Sequence, residues 1–524
     1  MIDSKASGFL KGQNSALKAW LPDWRPLVIL AVGFLFRLLY HISFKPWWCG
    51  DSGHYSLSTV LWAHGYFTDG GRTPIYPLFL AFAQWLARVP VAEDLSVSAA
   101  ELVRDIQCGL GLLAACLIYD ALRAVRVKQA VAFGAGLFFA TTALVCNVEM
   151  GIVTPSLSAF SLVLGIWLYA RMMAQVGDGE SARKLAVLLG FAIAFAVLLR
   201  PDNLVFFAVI VLSTGAFAIR SLFLPSRANL ARRLLVVCFL VPLSAAPLIL
   251  AWMTCNYIGT GRFRITNMMG WQMTQSVYNM YDRVDPEDRV LGGIMTKYYA
   301  ATNRNGINRE YIWLAMGEVK NRAWEMPYLD AADNNRSKLG AWVYSLASDE
   351  SRRFSNQGSV ALGDYLKRVA WKLIRKNPSA YLHNAADSFL RDSFDFTASH
   401  TGTSPEEVED PRAVEGGTVV KSRAGWKVIH AVAAAQAPFL TAFYVLTLAY
   451  VLFSPFVLLR NSSGITTSDV AVTALAMGTV GTFVAFCLLE SYHNQYGVPH
   501  ISVLVVCTGY AVGNFRRIRR AMFG

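Results

Sequence analysis

The stretch TPIYPLFLAFAQWLAR, residues 74–89, decides how the rest of the chain is threaded. It is apolar, but it falls short of the roughly 20 residues that cross a bilayer as a helix. Basic residues elsewhere decide its reading. Lys5, Lys11, Lys18 and Arg25 precede the first apolar run. Arg123, Arg126 and Lys128 follow the second, and Arg171, Arg183 and Lys184 the fourth. Arg220, Arg227, Arg232 and Arg233 come later, and Arg516, Arg517, Arg519 and Arg520 stand near the end. If 74–89 stays on one face, all these clusters fall on the cytoplasmic side, where short loops collect positive charge. If it crosses, the later clusters flip outside. Residues 74–89 therefore read as a helix at the outer membrane interface.

Working outward, ten spans are expected, near 26–44, 103–122, 129–147, 152–173, 184–200, 203–224, 234–254, 429–458, 468–489 and 495–514. The class is an all-α polytopic membrane protein. Composition agrees: of 524 residues 54% are hydrophobic and 16% charged, against roughly 25% charged in a soluble chain. Met1–Trp24 is polar and basic, without a signal-peptide cleavage pattern. The formal charge of +13 lies mostly in short loops between spans, so topology explains it better than nucleic acid does. The cysteines show no CxxC spacing, and Cys49 and Cys255 read as free thiols rather than a disulfide. No internal repeat is visible.

Three regions follow. Residues 1–254 form an N-terminal transmembrane module with a long outer loop, 45–102, containing a second short amphipathic helix at 55–66. Residues 255–428 form a polar, mainly helical outer segment, and 429–524 the C-terminal membrane helices. Within the outer segment, NPSAYLHNAADSFLRDSF from Asn377 reads as a helix with a proline start. Residues 400–425 read as a connector. NYIGTGRFRITNMMGWQ, 256–272, alternates like an extended strand over the bundle.

The residues that could carry chemistry gather on the outer face. The first outer loop runs PWWCGDSGHYSLSTVLWAHGYFTDGGRTPIYP from Pro46. Asp51 in it could be a helix cap beside an interfacial tryptophan pair, Trp47 and Trp48. GRTPIYP needs more explanation: Arg72 is followed by two prolines that stiffen the entry to an apolar helix. An arginine so held suits a lipid phosphate. Arg200 ends the fifth span in AVLLRPDN, where it could simply snorkel or could bind an anion. Glu149 in CNVEMGIVTP could be an ordinary turn residue or a second carboxylate facing Asp51. LLESYHNQYGVPH brings Glu490, His493, Asn494 and Tyr496 together before the last span. Arg262 and Arg264 open the outer segment. Lys45, His54 and Tyr55 lie within the first loop. Loops from one face of a rigid bundle are a common way to build such a site.

An aspartate just after span one, then xxxY, then a short helix and Arg-x-Pro-x-x-Pro entering an apolar helix, resembles the GT-C superfamily. These are integral-membrane glycosyltransferases that use polyprenyl-phosphate sugars, among them the lipid A aminoarabinose transferases and protein O-mannosyltransferases. The likeness is best over the first 200 or so residues. It implies that Asp51 is the catalytic carboxylate and that Arg72 and Arg200 face the donor phosphate; Lys45 and His493 are further candidates for a phosphate contact. Tyr55, His54, Arg262, Arg264, Glu490, Asn494 and Tyr496 are candidates for substrate contacts. The aminoarabinose transferases carry an Asp before a proline in span four, where this chain has Thr154 before Pro155; Glu149 is the candidate substitute as a second catalytic group.

The expected reaction moves a sugar from a polyprenyl phosphate to an acceptor hydroxyl, with inversion, Asp51 acting as general base. Arginines would neutralise the leaving phosphate. No His/Asp/Glu spacing suggests a metal, and no obligatory cofactor is expected. The expected partners are the lipid-linked sugar, a lipid, glycan or protein acceptor, and the bilayer, not nucleic acid. The expected location is a bacterial inner membrane, with both termini cytoplasmic and the site periplasmic. The competing reading is a transporter or flippase, which should show broken helices and polar groups near the bilayer midplane.

Overall fold

The computed structural model describes residues 23–46, 52, 55–56, 58–59, 71–91, 95–302, 315–319, 322, 356–392, 422–460, 466–489 and 498–514. Every regular element among the described residues is a helix. The membrane bundle comprises α1 (Arg25–Ser43), α3 (Val97–Ala124), α4 (Gln129–Ala140), α5 (Ala143–Glu149), α6 (Thr154–Gly177), α7 (Arg183–Leu199), α8 (Asn203–Leu222), α9 (Ala228–Thr260), α14 (Arg423–Arg460), α15 (Thr467–Leu489) and α16 (Ile501–Gly513). Helix α2 (Ile75–Leu86) lies between α1 and α3 in the chain.

Among the described residues seven helices are long and apolar enough to cross a membrane, or eight if the bent pair α4–α5 counts as one span. Ten spans were expected, and the difference lies in two shorter helices. Helix α7 has 17 residues and rises about 26 Å, slightly less than a ~30 Å hydrocarbon core. The last apolar helix covers Val498–Gly513. Helix α2 has 12 residues, too short to span, and it leaves Leu78, Phe82 and Trp85 exposed. That is consistent with an interfacial helix.

The burial pattern sorts centre from rim. The apolar windows of α6 and α15 are 72% and 67% buried, those of α9 and α14 only 22% each. An apolar helix that hides little of itself has lipid as its other solvent. Small residues let neighbouring helices approach closely: a Cβ at Gly190 of α7 would run into Ser244 and the Val241 carbonyl of α9.

Among the described residues one span is interrupted. Helices α4 and α5 meet at 45°, and the break leaves backbone groups that lipid could not satisfy. Protein donors and acceptors take them instead. Arg37 Nη1 donates to the Ala140 carbonyl (2.8 Å) and Tyr40 Oη to that of Ala143 (2.8 Å). Gln436 of α14 accepts from the Ala143 amide (2.8 Å) and donates to the Thr141 carbonyl (2.7 Å).

The outer segment has a core of its own. Helix α10 (Met269–Ser276), α11 (Arg289–Thr302), residues 315–319 and α12 (Asn356–Lys376) bury Trp271, Met273, Leu291, Met316 and Leu366 together. Helix α13 (Pro378–Asp392) starts at the proline, as expected from sequence. It is tied to the bundle by Tyr381 Oη donating to the Leu488 carbonyl (2.5 Å). Residues 256–272 correct the strand-like reading. Helix α9 continues through Thr260 and ends at Gly261, whose φ of 71° is left-handed. Helix α10 follows after a short irregular turn. Alternation was misleading because Trp252 and Asn256 of α9 bond back to the turn. Trp252 Nε1 donates to Ile265 O (2.9 Å), and Asn256 Nδ2 to Arg264 O (2.8 Å) and Ile265 O (3.0 Å). The turn thus pairs with a helix rather than with a strand. The seven described cysteines are free; Cys255 is one of them.

Candidate active site

Four hydrogen bonds gather separate segments at one end of the bundle. Ser52 Oγ donates to Ile152 O (2.8 Å), fixing the residue after Asp51 against the turn that precedes α6. Thr73 Oγ1 donates to Leu199 O (3.0 Å), so Arg72 and Arg200 each flank a residue of that bond. Thr266 Oγ1 donates to Gly71 O (2.6 Å), joining the outer segment to the same loop. Tyr76 Oη contacts Gln107 Oε1 at 3.4 Å.

Arg72 sits 4.8 Å above the Tyr55 ring and reaches the Tyr55 hydroxyl at 3.5 Å. A guanidinium over an aromatic face is held by the ring quadrupole while its outer N–H groups remain usable. Tyr55 is braced in turn by Tyr76, edge to face at 4.9 Å. Tyr76 lies two residues after Pro74, the N-cap of α2, so the proline-set entry fixes the platform beneath Arg72. Arg200 is buried, and its Nε donates to Asp202 (3.1 Å). Below both lies an apolar floor of Tyr55, Tyr76, Ala100, Val103, Ile152 and Leu199.

Glu149 is committed elsewhere than to an open face. It is 1% exposed and accepts from Arg37 Nη2 at 2.6 Å, with Arg37 itself 3% exposed. A Cβ at Gly111 would collide with both groups, so α3 needs a glycine there to close over the pair. Gln107, one turn away on α3, donates to the carbonyls of Glu149 (3.0 Å) and Gly151 (2.9 Å). The ion pair and the glutamine together hold the 149–152 turn on which Ser52 is anchored.

Arg262 and Arg264 converge on one partner, Asp364 of α12, at 2.8 and 2.6 Å. Burial alone would push the Asp364 carboxyl up, but the hydrogen bonds from Arg264 and Arg262 outweigh it and hold the group below the usual carboxylate range. These arginines clasp the outer segment to the end of α9. Lys45 is exposed just past α1. Asp51, His54, Glu490, His493, Asn494 and Tyr496 lie outside the described residues. One described carboxylate cluster, Asp285, Glu287 and Asp288, has the spacing of a metal site. Lysines already occupy it: Lys372 bonds Glu287 and Asp288, and Lys376 bonds Asp285.

Sequence reading passed over Arg37, Thr73, Gln107 and Thr266. Only Arg37 carried a signal, as a lone charge inside an apolar run, where an ionisable residue demands a partner.

No family model and no curated protein matches the chain. Among solved structures it is similar to the oligosaccharyltransferase of Archaeoglobus fulgidus in its apo form: TM-score 0.47, 13% identity, 96% of this chain and 52% of that one. The same enzyme, AglB, with an inhibitory peptide and a dolichol-phosphate gives TM-score 0.43 and 12% identity over 96% and 53%. ArnT from Cupriavidus metallidurans bound to undecaprenyl phosphate gives TM-score 0.32 and 15% identity over 91% and 77%. These neighbours are GT-C glycosyltransferases. The chain spans about half the length of the oligosaccharyltransferase chains it matches.

Proposed function

We propose that the chain is a membrane glycosyltransferase of GT-C type that takes its sugar from a polyprenyl phosphate. One observation carries the reading: the Thr73–Leu199 hydrogen bond joins the GRTP loop to the LRPD turn. Two arginines from distant segments thus stand beside the residues that anchor the Asp51 loop. Such a pairing suits an anion at a membrane interface and has no evident use in a plain scaffold.

In the proposed reaction Asp51 accepts the proton of an acceptor hydroxyl as its oxygen attacks the anomeric carbon. The bond from that carbon to the phosphate oxygen breaks, and polyprenyl phosphate leaves with the electron pair. Arg72 and Arg200 balance the charge that develops there, with Lys45 and His493 as further phosphate contacts. A single displacement inverts the anomeric centre. His54, Tyr55, Glu490, Asn494 and Tyr496 are the proposed substrate contacts, and no metal is required in this scheme. Glu149 serves as a positioning residue, through Arg37, for the 149–152 turn. Arg262 and Arg264 hold the outer segment over the site. The site faces the periplasm of a bacterial inner membrane, with both termini in the cytoplasm.

The transporter reading would draw support from the broken α4–α5 span. Its freed backbone groups at 140, 141 and 143 are taken by Arg37, Tyr40 and Gln436, so the break serves packing. The test is transfer of labelled sugar from a panel of polyprenyl-phosphate donors by purified protein, with Asp51→Asn in parallel. Turnover that vanishes in a folded Asp51→Asn variant supports class and base together. Unchanged turnover removes Asp51 from the scheme. Net movement of lipid-linked sugar across vesicles without transfer would favour the transporter.

A further inference from the structure

Arg104 is the most deeply buried arginine among the described residues, 1% exposed. Its Nε donates to Asp105 Oδ1 at 2.9 Å. Its Nη1 is buried and has no hydrogen-bond partner among the described residues. Asp105 does little to neutralise it. The Asp105 side chain is 56% exposed and lies 3.8 Å from His41 Nδ1, so water and a second base share its charge. A buried guanidinium with an open N–H is costly unless an anion comes to it.

Its place in the fold says which anion. Arg104 lies on the same face of α3 as Gln107, one turn nearer the start of the helix. Gln107 donates to the 149–151 backbone, and Ile152, next along, accepts from Ser52. Ala100 and Val103, flanking Arg104 on α3, belong to the apolar floor with Tyr55, Tyr76 and Leu199. Arg104 is therefore a cation at the end of the bundle that carries Arg72 and Arg200, about 4.5 Å along the helix axis from Gln107.

We propose that Arg104 is a third anion-binding residue of this site, donating through Nη1 to the phosphate of the bound ligand. The inference rests on the proposed function for the lipid source of that phosphate; the anion chemistry rests on Arg104 itself. A planar fork with one arm held by Asp105 presents its remaining N–H groups in a fixed direction, which suits phosphate oxygens.

The test measures binding of undecaprenyl phosphate, undecaprenol and free pyrophosphate to the full chain in nanodiscs. Wild type is compared with Arg104→Gln, Arg104→Lys and Asp105→Asn. Loss of a charge-assisted hydrogen bond predicts about ten- to a hundredfold weaker undecaprenyl phosphate binding in Arg104→Gln. Undecaprenol binding should not change. Arg104→Lys should fall between. Asp105→Asn alters an exposed side chain and keeps the fold; removing the competing carboxylate should tighten phosphate binding. Equal lipid-phosphate affinity in wild type, Arg104→Lys and Asp105→Asn overturns the inference and leaves the donor reading standing, even if Arg104→Gln does not fold. Arg104-dependent binding of pyrophosphate, with no binding of the lipid, keeps the anion site and removes the polyprenyl donor. No anion binding by wild type overturns both.

Discussion

Replacing Glu149 by Gln should destabilise the protein far more than a turn substitution would. The pair Arg37–Glu149 is 2.6 Å apart, with side chains 3% and 1% exposed. Solvent screening is therefore small, and among the described residues the remaining Arg37 charge is met only by neutral oxygens, the amide oxygen at position 149 and the carbonyls of Gly33 (3.3 Å) and Ala140 (2.8 Å). Breaking a buried pair from one side typically costs about 3–5 kcal/mol, because the surviving charge stays buried. The double variant Arg37→Met/Glu149→Leu removes both charges. It should recover much of that loss, though Arg37→Met also opens the brace on the α4–α5 break. Equilibrium unfolding in detergent, run as a double-mutant cycle of Arg37→Met, Glu149→Leu and the two together, should give a coupling energy above about 2 kcal/mol. A loss under about 1 kcal/mol for Glu149→Gln, with Glu149→Leu and Arg37→Met additive, would refute the reasoning and return Glu149 to the open face of the site. Activity provides a second reading. A positioning role predicts that the double variant regains donor turnover along with stability; a catalytic role predicts that it does not.

Three further outcomes are expected. Arg72→Ala should weaken donor binding by roughly ten- to a hundredfold, read as a rise in KM or in Kd for lipid phosphate. It should leave unfolding nearly unchanged, because the arginine rests on the face of Tyr55 and not within the core. The Arg262–Asp364–Arg264 clasp should confer acid-sensitive stability. Its carboxyl is held below the ordinary 3.8, so its contribution is fully present above that pH and is lost as pH falls through the lower folded value. Proteolysis of the outer segment should rise in that window for wild type, and Asp364→Asn should be open to protease at neutral pH. Gly111→Ala should destabilise by overpacking against Arg37 and Glu149, at a cost of about 1–3 kcal/mol, measured by thermal unfolding.

Sequence alone determined the class, most of the spans and the helical start at Pro378. Long apolar runs and the placement of basic loops follow from the cost of exposing backbone and charge to lipid, and that cost acts on local composition. The same logic kept 74–89 on one face. Sequence also marked Arg72 and Arg200 as unusual, since each stands beside a proline at the end of an apolar helix. What it left open were pairings over long separations. Arg37 meets Glu149 across 112 residues, Thr73 meets Leu199 across 126, and Thr266 meets Gly71 across 195. No periodicity encodes such contacts, because a buried polar group only requires some partner, and helix packing decides which one. Tertiary structure thereby gave Glu149 an arginine instead of an open face, and turned Arg262 and Arg264 toward Asp364. It also left Arg104 buried with one N–H unclaimed.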